Sequence, residues 1–357
     1  MSTTPLLTAC AILLSVGCHS IGPGTVARDR FDYSGAISES WKRQTLLNIV
    51  KMRYLDPPIF VDVGQIVSGY SLESGATVGG QVASKDAVQG NSLLLGATLR
   101  FTDRPTITYT PLTGNRFVKS LMTPLTPASV FFTIQSGWPA DGVLLATTAS
   151  INGLKNQETS LDSVTPPDPE FLKVLALLRK IQRSGAVAMR VLQSPEKQET
   201  VILTFRAKNI PQETLDDIRE VRRLLRLNQD AEEFKLVFGA AAADDKEVAV
   251  ITRSLLHLMQ AMSLQVEVPA QDLAESRAVR GFEDASPNSS STHLLSIASS
   301  DTEPENAFVE IFYRDHWFWV DDRDLRSKRA FAFMMMLFTL ADTGEKETPP
   351  LITIPAQ

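Results

Sequence analysis

Between residues 70 and 101 the chain alternates apolar and polar side chains twice over, a rhythm that suits a strand and not a helix. Tyr70, Leu72, Ala76, Val78 and Val82 are interleaved with Ser, Glu, Thr, Gly and Gln. After a polar turn at 84–90, Leu93, Leu95, Ala97, Leu99 and Phe101 repeat the pattern. Period two over this length predicts two long antiparallel strands joined by that turn. Gly75, Gly79, Gly80 and Gly96 lie inside them and point to a twisted or bulged sheet, or to the close approach of another backbone. Asp103-Arg104-Pro105 marks a bend, and 106–109 supplies a third strand.

The flanks are helical. Ile37, Trp41, Leu47, Val50 and Tyr54 fall at helical spacing, and Asp56-Pro57-Pro58 ends that helix because proline lacks the donor the ladder needs. A short strand at 59–63 follows. Helices are expected again at 116–122 and at 127–136, the second with Thr126 as N-cap and Pro127 in the first turn. Residues 142–151 fit helix or strand equally, and the proline-rich polar stretch 156–169 reads as a linker between two domains, 36–155 and 170–357. Beyond it come a helix at 170–184, strands at 187–192 and 200–205, a helix at 211–227 and a strand at 234–238. A helix around 254–262 and a strand at 264–268 precede a polar loop, 276–306, expected to be mobile and outside the core.

Strands at 308–313 and 316–320 make a hairpin across Arg314-Asp315, and the helix behind it is apolar on every side over 330–340, as in a central core helix. A last strand is expected at 351–354. The fold class is α+β: an amino-terminal helix and a long antiparallel β-hairpin region, then a mixed α+β domain ending in a hairpin and a buried apolar helix.

Residues 6–16, LLTACAILLSV, form an uncharged apolar run closed by Gly17 and Cys18. Its length is short of the roughly 20 residues that cross a bilayer and suits the hydrophobic part of a signal peptide. A cysteine directly after Leu14-Ser15-Val16-Gly17 resembles the bacterial lipobox. That resemblance implies a signal peptide at 1–17, acylation of Cys18 and a spacer over 18–35. The segment departs from the pattern in having no Lys or Arg before the apolar run. Cys10 has too little apolar chain ahead of it to be the cleavage site.

Cys10 and Cys18 are the only cysteines, so a chain cut before Cys18 has no internal disulfide. All 76 charged side chains lie from Arg28 onward, and the net charge of −6 gives no basic surface for nucleic acid. The longest later apolar run, 330–341, is twelve residues and too short to span a membrane.

The sequence carries no HExxH, no GxSxG, no phosphate-binding loop and no Cys/His metal spacing, and no cofactor is implied. Gly75-x-x-x-Gly79-Gly80 sits in a strand pattern and opens no helix, which excludes a dinucleotide fingerprint. Of the four histidines, His257 lies among leucines as a structural side chain would, and His293 falls in the polar loop. The sharpest polar cluster is Asp315, His316, Asp321, Asp322 and Asp324, whose carboxylates and imidazole suit a divalent metal or a general base. The competing reading gives Asp315 to the turn and the later aspartates to helix capping. Arg222-Arg223 and Lys328-Arg329 read as solvated helix faces.

Three stretches together resemble a family of bacterial envelope lipoproteins with no assigned activity. They are Ser40-Trp41 through Tyr54-Leu55-Asp56-Pro57-Pro58; Thr252-Arg253-Ser254-Leu255-Leu256 with Val266-Glu267-Val268-Pro269; and the run from Tyr313-Arg314-Asp315-His316 to Arg326-Ser327-Lys328. The resemblance implies export and lipidation and supplies no catalytic residue. The expectation is a non-catalytic interaction or assembly module, anchored in the outer membrane through Cys18, facing the periplasm and meeting an envelope protein partner. The alternative is a subunit of an oligomeric outer-membrane pore contributing the hairpin of 70–101, a reading weakened by the lack of a clear aromatic girdle. An envelope hydrolase built from scattered carboxylates ranks third.

Overall fold

The computed structural model describes residues 21–67, 69–81, 92–112, 119, 121–159, 164–193, 199–206, 210–281 and 294–341. Cys18, His293, the turn at 84–90, most of the helix expected at 116–122 and the strand expected at 351–354 lie outside the described residues. The chain divides into two compact units, Met1–Trp41 with Val61–Leu112, and Lys42–Phe60 with Thr113–Gln357.

Helix α1 (Ile21–Arg53) runs through the stretch read as a spacer. Gly22-Pro23-Gly24 lies inside the described helix. In the first unit, four strands follow: β1 (Phe60–Val67), β2 (Tyr70–Gln81), β3 (Ser92–Asp103) and β4 (Thr106–Leu112). β2 and β3 pair antiparallel over their whole length, from Tyr70 opposite Asp103 to Gln81 opposite Ser92, and β1 pairs with β4. The bend is bridged by the Arg104 N–H donating to the Gly69 carbonyl at 2.9 Å. The period-two pattern thus becomes a two-stranded ribbon, and β4 is longer than its sequence suggests. Tyr70 and Phe101 stack near the bend, centroids 6.0 Å apart, and the Tyr70 hydroxyl donates to Asp29 of α1 at 2.5 Å.

The second unit takes in the carboxyl-terminal part of α1 and continues with α2 (Pro127–Gln135) and α3 (Ala140–Thr147). The Thr126 side chain caps α2 by accepting from the Ser129 N–H, as its sequence position predicts. The ambiguous stretch 142–151 is both structures in turn, since α3 passes directly into β5 (Thr148–Ile151). β5 returns through Asn152-Gly153, both at positive φ, into β6 (Leu154–Lys155). β7 (Glu158–Thr159) and β8 (Val164–Thr165) form a short pair, followed by α4 (Pro169–Arg183), β9 (Val187–Gln193), β10 (Glu199–Phe205), α5 (Gln212–Leu224), β11 (Glu233–Phe238) and β12 (Glu247–Thr252). One sheet has the order β6-β5-β12-β11-β10-β9, with only β11 and β12 parallel. Because β5 and β6 precede 156–169 and β5 pairs with β12, the sheet crosses the stretch read as an interdomain linker. The prolines there serve the entry of α4 instead.

α4 buries Phe171, Val174, Leu175, Leu178 and Ile181, the spacing of one helical face, and a buried side chain of this kind contributes about 1.5–3 kcal/mol. Phe205 and Phe234 meet edge to face beneath the Arg222 guanidinium, whose carbon lies 5.8 and 5.7 Å from the two ring centres. Arg222 is therefore buried rather than on a solvated face, and burial lowers its pKa.

Helices α6 (Leu255–Ser263) and α7 (Ala270–Ala274) lead to a second sheet of β13 (Ala298–Ser300), β14 (Ala307–Tyr313) and β15 (His316–Asp321), in the order β13-β15-β14, and then to α8 (Leu325–Ala341). Two expectations change here. The strand expected at 264–268 is a single bridge, Val266 to Ile297. The carboxyl-terminal part of the polar loop is core: Leu294, Leu295 and Ile297 are buried and β13 extends the sheet. The hairpin and α8 stand where the sequence places them, but α8 buries one face only. Ser327, Phe331, Met334 and Leu337 point inward while Ala332 and Thr339 are exposed.

Candidate functional site

The carboxyl-terminal turns of α1 bury Leu46, Ile49, Val50, Arg53 and Tyr54, a continuous helical stripe. Leu47, expected on that stripe, is half-buried. The helix closes in a Schellman arrangement: the Asp56 N–H donates to the Lys51 carbonyl at 2.9 Å and the Leu55 N–H to Met52 at 3.2 Å. This places Leu55 at φ 59° and projects Tyr54 and Asp56 toward the second sheet.

Around Tyr54 the end of α1, the start of α7 and the β14–β15 hairpin meet. Its hydroxyl donates to the buried carboxylate of Asp272, three residues beyond Pro269, at 2.7 Å. Its ring meets Tyr313 and Phe318 edge to face, at centroid distances of 5.7 and 6.3 Å. The Arg314 guanidinium lies over it, 4.8 Å from the ring centre. Asp56 accepts from the Tyr313 hydroxyl and from Arg314 Nη2 at 3.1 Å, and these donors hold its carboxyl below the usual range. Burial, followed by the contact with Asp272, raises the Tyr54 phenol well above its ordinary value. Arg314 and Asp315 form the hairpin turn, with φ 49° and 66°, the pattern of a type I′ turn.

This group holds shape rather than offering chemistry. A Tyr whose pKa is raised stays protonated near neutrality and gives up its proton poorly, and its partner carboxylate is occupied by the phenol itself.

The Asp/His cluster read from the sequence is not brought together. Asp315 serves the turn, while His316 begins β15 and Asp321 ends it, some 17 Å away at about 3.4 Å per residue. His316 Nδ1 faces Asp301 Oδ1 at 2.9 Å. Asp321 accepts from the Arg323 N–H at 2.7 Å, and Asp322 accepts from Lys328 Nζ at 2.6 Å. Asp324 accepts from the N–H groups of Arg326 and Ser327 at the start of α8 and from the Ser327 hydroxyl. The three later aspartates are thus committed to helix entry. Among the described residues no group of three His, Cys, Asp or Glu side chains is arranged to hold a metal ion.

Concavities lie among the described residues of the second unit. One of about 680 Å³ is walled by Trp138, Leu172, Leu175, Met262 and Phe333, with Asp141, Arg326 and Arg329 among its polar lining residues. Trp138 and Phe333 touch at a centroid distance of 5.0 Å. Its size and lining suit an apolar ligand or side-chain cluster. Another, of about 340 Å³, is lined by Lys155, Asn156, Gln157, Arg253, His257 and Gln260 among others.

Arg253 is buried there. It donates to the carbonyls of Leu145 and Ala146 at 3.2 and 3.3 Å and of Gln157 at 2.6 Å. Leu145 and Ala146 are in the last turn of α3, so the helix dipole supplies the negative end that a carboxylate would otherwise provide. Burial brings the Arg253 pKa down to about 10. His257, read as a structural histidine, is exposed on the outer side of α6. Arg253 stood out in the sequence only as part of a stretch carrying the resemblance, and nothing marked Asp272, because each gains its role from groups far away along the chain.

No protein-family model, curated protein or solved structure matches the chain.

Proposed function

We propose that this chain is a lipid-anchored bacterial envelope lipoprotein, held in the outer membrane through acylated Cys18, with a non-catalytic α+β body that acts as an interaction or assembly module in the periplasm. The observation that carries this reading is the apolar run 6–16 closed by Gly17-Cys18. Several acyl chains on one cysteine anchor firmly, whereas one chain binds a membrane only marginally. The module reading draws on the apolar cleft beside Trp138 and Phe333, which is large enough to seat a partner's side chains.

Cys18→Ser followed by membrane fractionation tests the anchor. The reading expects the variant to leave the membrane fraction and the unaltered chain to stay in it. Retention of both to the same degree overturns it. Affinity purification of the full chain from membranes tests the module, and failure to recover a reproducible partner counts against it.

A further inference from the structure

We propose that the β2–β3 ribbon is one copy's share of a β-barrel closed by several copies of this chain, with its apolar face toward lipid hydrocarbon and its polar face lining an aqueous channel. The inference rests on the envelope reading above, which supplies the membrane.

Four observations lead to it. The ribbon is two strands of twelve residues paired along their full length, and among the described residues neither strand bonds to any strand outside the ribbon. A ribbon of this kind is marginal alone in water and leaves two long open edges.

Its two faces differ in chemistry. One register row pairs Ser71 with Thr102, Glu73 with Arg100, Gly75 with Thr98, Thr77 with Gly96 and Gln81 with Ser92, with exposed Leu94 opposite Gly79 as its one large apolar residue. The other pairs Leu72 with Phe101, Ser74 with Leu99, Ala76 with Ala97, Val78 with Leu95 and Gly80 with Leu93, with Tyr70 opposite Asp103 at its base. Within the two strands Glu73 and Arg100 lie directly opposite each other on the more polar row, and the one other charged residue, Asp103, ends β3 at the base of the ribbon. Phe101, on the apolar row, is 53% exposed.

The length fits. At about 3.4 Å per residue a twelve-residue strand reaches about 40 Å, and at a tilt of about 45° it rises about 28 Å, close to the hydrocarbon thickness.

The base of the ribbon carries one aromatic pair, Tyr70 and Phe101, at the height of one interfacial girdle of a membrane barrel, while 71–100 holds no further aromatic residue for a girdle at the far end. Tyr70 also donates to Asp29, eleven residues after Cys18, which ties this end of the ribbon to the segment nearest the lipid anchor.

The occupant of the open edges is a second copy. β2 and β3 run antiparallel, so β3 of one copy pairs with β2 of the next, head to tail, and the ring closes with an even number of strands and no free edge. The smallest barrels have about 8 strands, which would take about four copies.

The test uses the full chain, purified from membranes and reconstituted in phospholipid vesicles. Four variants carry one added cysteine each: T77C and T98C on the polar row, A76C and A97C on the apolar row. A water-soluble maleimide is expected to label the first two, and a lipid-borne quencher to reach a probe on the other two. In planar bilayers the unaltered chain is expected to give stepwise conductance, and Glu73→Lys to shift the permeability ratio several-fold toward anions. Equal water access at the four positions, or no conductance from the lipidated chain, overturns the barrel. The mass of the amino terminus is read on the same sample. A lipidated chain that fails both barrel tests defeats the barrel alone, and an unlipidated chain that passes them defeats the anchor alone.

Discussion

Tyr54→Phe removes one oxygen from the interior of the second unit and leaves the ring in place. The contacts with Tyr313 and Phe318 and the Arg314 guanidinium over the ring all persist, because each involves the aromatic carbons. What disappears is the 2.7 Å hydrogen bond to Asp272, whose carboxylate is buried and loses this donor. A buried hydrogen bond to a charged group contributes about 1.5–3 kcal/mol, and at about 2–4 °C per kcal/mol the thermal midpoint should fall by about 3–12 °C. Calorimetry of the full chain measures it. The same substitution in an Asp272→Asn background should cost about 1 kcal/mol or less, since the acceptor is then neutral. A loss below about 0.5 kcal/mol for Tyr54→Phe alone, or an equal loss in both backgrounds, would refute the role given to this pair.

Further outcomes follow from other residues. Asn152 donates to the Leu225 and Glu247 carbonyls at 2.8 and 3.3 Å and accepts from the Ala249 N–H at 2.6 Å while holding φ 45°. Asn152→Ala should cost about 2–4 kcal/mol in urea denaturation, and Asn152→Gly less, because glycine keeps the turn. Leu55 is 77% exposed at φ 59°, so Leu55→Gly relieves backbone strain without losing burial and should stabilise by about 0.5–1 kcal/mol. The Tyr313 hydroxyl and then Arg314 depress the Asp56 pKa, so the stability it contributes is present above the ordinary carboxylate value of 3.8 and is lost as the pH falls through the lower folded value. The difference in denaturation midpoint between the unaltered chain and Asp56→Asn should be constant near neutrality and shrink in acid; a difference that grows in acid would reverse the assignment.

The elements legible in the sequence are those with one wet face. The ribbon alternates with period two, α4 and α5 show a helical stripe, and the hairpin before α8 has both strands and its turn in plain view. β12 was hidden because Val248, Ala249 and Val250 are all buried, so its run EVAVIT has no alternation to read. The core segment before β13 was hidden by its serines, although Leu294, Leu295 and Ile297 are apolar. The helical state of 21–35 was obscured by Gly22-Pro23-Gly24. Within α1 the competing faces, Leu47 or Leu46 with Ile49, have equal helical logic, and only packing against the rest of the unit chooses. The Asn152-Gly153 turn was available as a hairpin signal. The candidate site was less legible than the fold. Local partners of the aspartates could be foreseen as capping, whereas His316 with Asp301, Tyr54 with Asp272 and Arg253 with α3 are pairings across long stretches of chain.

The central claim is the lipid on Cys18, and it is tested most directly by intact-mass spectrometry of the chain purified from membranes, with fragmentation of its amino-terminal peptide. The account predicts a mature chain beginning at Cys18, lacking the preceding seventeen residues, with the added mass of acyl groups on that cysteine. A chain still beginning at Met1, or one cut elsewhere with an unmodified Cys18, would contradict it.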